Sequence, residues 1–304
     1  KSSKKRRRQK EKEPQKQKTL VSALDHAKQK YLVLEQQTIR RLKQDASQKM
    51  LWQALEKGTV NDKLRALSVF VQENPWTSLD FMRRLALLAR DKNSKTRLLV
   101  HRETKELFKG PLREIIEQSR PFVELHSDST TELTPEKQYV LSVMRQHLKK
   151  LLDSVSQNLK ENLTFFKLEY IEILAELGRA LDTKCVACYR PIVDKVGDSE
   201  PRIGTTAAKY VTLGIMFQAQ AALGIEQQVH LKLMNSAAGD AQPFLVCLAN
   251  VDYGKVQDKL VLYKALEIFL HASQKSLDSL QSLKKTRQDA LERSSTIIRQ
   301  VTRS

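Results

Sequence analysis

Residues Leu51 to Pro75, LWQALEKGTVNDKLRALSVFVQENP, constrain the fold of this chain more than any other stretch. They read as one helix ending near Gly58, a tight turn, and a second helix over about Asp62 to Gln72. Leu51, Trp52 and Leu55 share a face of the first helix. Leu64, Leu67 and Val71 recur at intervals of three and four along the second, with Val69 and Phe70 widening its apolar side. Gly58 is expected to stop the first helix in the left-handed conformation, and Asn61 or Asp62 to cap the second. Neither helix can bury its apolar face alone, so the pair requires a neighbouring pair. The stretch predicts a repeat unit of helical hairpins.

Composition extends that expectation to the whole chain. Only 9 Gly and 8 Pro occur in 304 residues, and 40% of the residues are hydrophobic, enough for a sizeable core. Good helix formers dominate, which predicts an all-α fold. A net charge of +18 makes a polyanion the natural partner, nucleic acid before membrane. No run approaches the ~20 apolar residues of a membrane span. The start does not read as a secretory signal, and the missing initial Met suggests a fragment. Three cysteines, an odd number, argue for a reducing compartment over a disulfide framework.

Residues 1–18 hold ten Lys or Arg against two Glu and bury nothing, so they predict a basic disordered leader. Within it Lys4, Lys5, Arg6, Arg7 and Arg8 form a cluster of the nuclear-import or phosphate-binding type. A leading helix fills 19–48, with a stripe of Leu20, Leu24, Ala27, Tyr31 and Leu34, then Ile39 and Leu42. A helical repeat scaffold follows over 49–274. Its later helices include about Asn162 to Leu181, with Phe165, Leu168, Ile171, Leu174 and Leu177 apolar, and one from Lys184 to Val196 that Pro191 should kink or split. Arg120 to Thr134 reads as a loop. Residues 275–304 form a basic C-terminal helix whose stripe, Leu277, Leu280, Leu283, Leu291 and Ile298, is a candidate partner-docking surface.

Four turns place an acidic or amide residue shortly before a basic residue and an apolar helix: Asn61 to Leu64, Asp91 to Arg97, Asp198 to Ile203 and Asp252 to Lys259. The third resembles the turn of HEAT repeats, in which an Asp and an Arg form a ladder between units. Here Arg202 follows Pro201 directly, a different register. With uneven spacing around a period of ~40 residues, the reading is an irregular HEAT/armadillo-like α-solenoid.

Catalytic chemistry finds little support. No phosphate-binding glycine loop, dinucleotide fingerprint or nucleophile elbow occurs, and the six histidines form no zinc-protease pattern. Cys185 and Cys188 have a metal-like spacing, but a structural zinc needs four ligands and the third cysteine, Cys247, lies ~60 residues on. Two cysteines one turn apart on a core helix are the better reading. No catalytic residue, metal ligand or cofactor is expected. Phosphate contacts are expected instead from Lys63 and Arg65, Arg83 and Arg84, Lys95 and Arg97, which recur near successive turns, and from Arg202 and the leader cluster. Aromatic residues are 6% of the chain, which disfavours base stacking.

Two stretches resemble one family. LWQALEKGTVNDKLRALSVFVQENP is similar to the W-x-x-x-x-x-G-T-x-x-D-K-x-x-A-L-x-x-x-V-Q-E-x-P pattern of the CCAAT-binding-factor-like nucleolar complex proteins. IVDKVGDSEPRIGTTAAKYV resembles that family's V-x-K-x-G-D-x-x-x-R-I-x-T-x-A downstream, and ARDKNSKTRLLVHRETKELF falls where the family has a basic helix. The likeness spans about Lys49 to Val211 and leaves out the family's C-terminal domain. It implies a helical-repeat assembly factor of the early large ribosomal subunit, in the nucleolus and nucleus. Its implied partners are precursor ribosomal RNA, a second nucleolar complex protein and other pre-ribosomal particle proteins, with no membrane. A DNA-binding transcription-linked regulator and a HEAT-type transport adaptor are the alternatives, although no helix carries the Asn, Gln and Arg cluster of a groove reader.

Overall fold

The computed structural model describes residues 2–127, 133–161, 163–218, 222–235 and 242–252, and single positions 256, 261, 267 and 270; over 2–19 it describes the backbone alone. Among the described residues there are thirteen α-helices and no strand. The chain divides into two compact units, with the boundary after Leu151.

The first unit opens with α1 (Ser2–Gln44). Its range takes in residues 2–18, which the sequence reads as a basic leader. Lys, Arg, Gln and Glu are good helix formers, and extending an existing helix avoids a new nucleation step. Further along, Ala27, Tyr31 and Leu42 are buried, but the buried position after Tyr31 belongs to Glu35, while Leu34 is exposed.

The hairpin comprises α2 (Lys49–Lys57) and α3 (Val60–Glu73). Its turn differs from expectation. Gly58 has φ −71° and ψ 169°, which is extended and not left-handed. Glycine is required there for space: a Cβ would collide with the Ala54 carbonyl oxygen and lie 2.7 Å from Asp62 Cβ. Thr59, and neither Asn61 nor Asp62, is the cap residue. The Asp62 N–H donates to Thr59 Oγ1 at 3.3 Å, and the Thr59 N–H donates to Asp62 Oδ2 at 3.0 Å, a reciprocal capping box. Trp52 then packs on Phe70 of its own hairpin (ring centroids 5.1 Å apart) and on Phe81 of the next helix (6.2 Å). Phe70 stacks on Phe81 at 5.0 Å. Each such pair is worth ~0.5–1.5 kcal/mol beyond the area it buries. The hairpin is thus completed by its neighbour.

That neighbour is α4 (Leu79–Leu88) with α5 (Ser94–Lys109). The stretch read as a loop contains a short helix, α7 (Phe122–Ser127), after α6 (Arg113–Gln118). Phe122 and Leu125 of α7 are buried, and that anchoring turns a polar segment into a helix. The long α8 (Pro135–Asn158) crosses the unit boundary.

In the second unit, α9 (Thr164–Ala180), α10 (Cys185–Val193) and α11 (Pro201–Phe217) form the centre, joined by α12 (Ala222–Asn235) and α13 (Gln242–Ala249). On α9 it is Phe166 that is buried, not Phe165, whose ring is 60% exposed. The buried set 166, 170, 173, 174 and 177 keeps helical spacing, and either phenylalanine satisfied the pattern in sequence. Pro191 lies inside α10, which ends two residues later. Tyr189 is buried between α9 and α11 because both present glycine: a Cβ on Gly178 would lie 2.8 Å from Tyr189 Cδ2, and one on Gly214 2.6 Å from Cε1.

Candidate nucleic-acid interface

Lys63 and Arg65 sit in the first two turns of α3, and Lys95 and Arg97 in the first turn of α5. Arg83 and Arg84 lie midway along α4, not at a turn. Arg65, Arg83, Arg84 and Lys95 are exposed; Lys63 and Arg97 are partly covered.

Their surroundings separate display from structure. Arg97 folds back on its own turn: its Nη1 donates to the Asp91 and Lys92 carbonyls at 3.0 Å each, and Nη2 donates to Ser94 Oγ at 2.9 Å. Asn93 caps α5 by accepting from the Lys95 N–H at 2.9 Å, and Asp91 Oδ1 accepts from the Asn93 N–H at 2.8 Å. The polar turn 91–95 therefore spends Arg97 on holding itself together. Arg83 and Arg84 share Asp80, at 3.4 and 2.9 Å, with side chains 63% and 47% exposed. Such exposed pairs contribute little stability but hold the guanidinium groups in place.

In the second unit, Arg202 is exposed in the first turn of α11 and does not pair with Asp198. Asp198 is taken by Lys195 at 2.9 Å and Lys167 at 3.6 Å, and it accepts from the Glu200 N–H at 3.2 Å. Burial pushes the Asp198 carboxyl up, but these hydrogen bonds and the two lysine charges outweigh burial and leave it below its usual value. The turn thus uses lysines where a HEAT ladder would use the arginine. Lys4, Lys5, Arg6, Arg7 and Arg8 lie on the α1 backbone, their side chains outside the description. Leu277, Leu280, Leu283, Leu291 and Ile298 lie outside the described residues.

Sequence reading passed over two residues of α8. His147 is partly buried and Lys150 exposed, three residues apart on one face. Burial first, then the charges of Lys150 and Arg83, hold the His147 imidazole down to about 4. Spacing marks His147 and Lys150 as neighbours, but nothing local ties them to Arg83.

Cys185 and Cys188 are buried on α10, and Cys247 is buried on α13, where Sγ donates to the Ala208 carbonyl at 3.5 Å. Burial pushes the Cys247 thiol up to about 11. Among the described residues no group of three or more His, Cys, Asp or Glu is placed to hold a metal ion. No helix among them is long and apolar enough to cross a membrane.

No protein-family model and no curated protein matches the chain. Among solved structures, it is similar to the crystal structure of an engineered protein at 17% identity and a TM-score of 0.30, covering 72% of this chain and 96% of that one. A likeness at that level carries no argument about family or function.

Proposed function

We propose that this chain is a non-catalytic scaffold of early large ribosomal subunit assembly, an irregular HEAT/armadillo-like solenoid of the nucleolus. It holds precursor ribosomal RNA and partner assembly factors, a second nucleolar complex protein among them. The supporting observation is how the Trp52-to-Pro75 motif is used. Trp52 and Phe70 fill the core, Gly58 clears the turn, and Thr59 and Asp62 cap α3. The motif therefore encodes architecture, as expected of a scaffold family, and leaves recognition to exposed cations. Arg65, Arg83, Arg84, Lys95 and Arg202 supply these, in a chain of net charge +18.

The test is affinity purification of the tagged chain from nuclear extract, with sequencing of the bound RNA. Enrichment of large-subunit precursor RNA with nucleolar assembly proteins is expected. Recovery of a defined duplex DNA site without such RNA would support the transcription-linked alternative, and recovery of transport cargo the adaptor.

A further inference from the structure

Cys185 and Cys188 are the first and fourth residues of α10, and both are fully buried. Residues three apart on an α-helix have Cα atoms about 5 Å apart, inside the range of roughly 4.4–6.8 Å that a disulfide spans. A regular helix leaves the Cβ atoms about 5–6 Å apart, where a disulfide needs about 3.5–4.5 Å. The opening of α10 is wound more tightly than that. The Ala187 N–H donates to the Lys184 carbonyl, three residues back, at 3.1 Å, while the α-type bond from the Cys188 N–H to the same oxygen is stretched to 3.4 Å. Bonds across three residues turn positions i and i+3 toward eclipse, which draws their Cβ atoms together. Cys247 is engaged elsewhere: its thiol donates to the Ala208 carbonyl at 3.5 Å and lies 3.6 Å from Thr212 Oγ1, both on α11.

The same turn is where α10 meets its neighbours. A Cβ on Gly178 of α9 would lie 3.4 Å from Cys188 Cβ, one on Gly224 of α12 would lie 2.7 Å from Val186 Cγ2, and Tyr189 fills the space over Gly214 of α11. Three helices therefore close on residues 186–189. Thr183 and Ala187 are exposed, so this turn lies at the surface of the second unit with its thiols facing inward.

We propose that Cys185 and Cys188 are a modification site, a dithiol that a hydroperoxide closes to a disulfide and a small thiol reopens. One thiol attacks the peroxide: an S–O bond forms, the O–O bond breaks, and water (from hydrogen peroxide itself) leaves. The second thiol then attacks that sulfenic sulfur, so the S–S bond forms, the S–O bond breaks and a second water leaves. The two thiols are oxidised and the peroxide is reduced. Reopening transfers the oxidation to two small thiols, which leave joined as their own disulfide. Because both sulfurs face inward, closure waits on fraying of the turn. Once formed, the bond fixes the first turn of α10 where α9, α11 and α12 grip it.

The full chain is treated with hydrogen peroxide, denatured, alkylated with N-ethylmaleimide and weighed intact, with a peptide map of its linkages. One label in place of three, a link between Cys185 and Cys188, and return of all three labels after dithiothreitol are expected. Three labels retained, a link through Cys247, or a link between chains overturns the pair. Equilibration of the same bond with glutathione, in the native chain and in urea, separates the helix from the bare motif. The tight turn predicts closure roughly tenfold or more favourable in the native chain. Equal or weaker closure there shows that α10 opposes the bond and overturns the proposal. RNA binding enters neither measurement, so the proposed function stands or falls separately.

Discussion

Tyr31 donates its hydroxyl proton to Glu35 Oε1 at 2.7 Å, one turn along α1, and the two together cap a different helix. Tyr31 Oη accepts from the Leu79 N–H at 3.0 Å and Glu35 Oε1 accepts from the Asp80 N–H at 2.7 Å, so the first turn of α4 is satisfied from α1. Ser78, in the cap position, makes no side-chain capping bond and donates to the Pro75 carbonyl at 3.1 Å instead. Burial, followed by the Glu35 hydrogen bond and charge, drives the Tyr31 hydroxyl far above its ordinary range, so it remains a donor.

Tyr31→Phe removes a donor and an acceptor from a buried site and should destabilise the chain by about 1–3 kcal/mol. Glu35→Gln should weaken the same cap, and the double variant should lose less than the sum, with a coupling of ~0.5–3 kcal/mol. Denaturant unfolding of the four proteins measures this. Additive losses would show that the two residues act separately.

Gly58→Ala should destabilise by about 1–3 kcal/mol through crowding, because the new methyl meets Ala54 and Asp62. Since the φ of −71° already suits an L-residue, replacement by D-alanine should bring no rescue. Thr59→Ala should lose ~0.5–2 kcal/mol with the capping box. Thermal melts of the three variants distinguish crowding from backbone strain.

Tyr189 is 1% exposed, and its hydroxyl has no hydrogen-bond partner among the described residues. Tyr189→Phe removes a buried polar atom without orphaning another, so stability should hold or rise. Gly214→Ala pushes a methyl into the ring and should lose about 1–3 kcal/mol. A strongly destabilised Tyr189→Phe would mean that the hydroxyl is satisfied after all.

Acid should loosen the first unit above pH 4. Burial and the Arg97 charge hold His101 down to about 4, as burial, Lys150 and Arg83 hold His147. Unfolded, each binds its proton near pH 6.5. Between those values the unfolded chain carries more protons, so stability should fall as pH drops from about 6.5 toward 4, and these two groups should leave it flat above. Each histidine can contribute on the order of 3 kcal/mol across that window. Unfolding free energy measured from pH 4 to 8 tests this, and His147→Gln should flatten the slope.

The hairpin of Leu51 to Pro75 was legible because its signals are local: apolar spacing, a glycine, a proline. The helix over about Asn162 to Leu181 was read the same way, and the structure places α9 at Thr164–Ala180. Cap identity was less legible, since Thr59, Asn61 and Asp62 all suit a helix start and only the chain's path into the turn selects Thr59. Of the basic residues, sequence proposed Arg97 and Arg202 on equal terms with Arg83. It could not show that Arg97 is consumed by its own turn, or that Asp198 prefers Lys167 and Lys195.

By itself the sequence determined that the chain is helical and where most helices lie, because helix formation is a matter of spacing and propensity within a few turns. Only tertiary structure decided that a buried Glu35 accepts from the Asp80 N–H, that Tyr189 slots between two glycines, and that Trp52 packs on Phe81. Those outcomes join residues 25 to 45 positions apart: Glu35 with Asp80, Trp52 with Phe81 and Tyr189 with Gly214, separations of 45, 29 and 25. No local pattern carries such information; it arises when each helix must find a partner for its apolar face and its unpaired end groups.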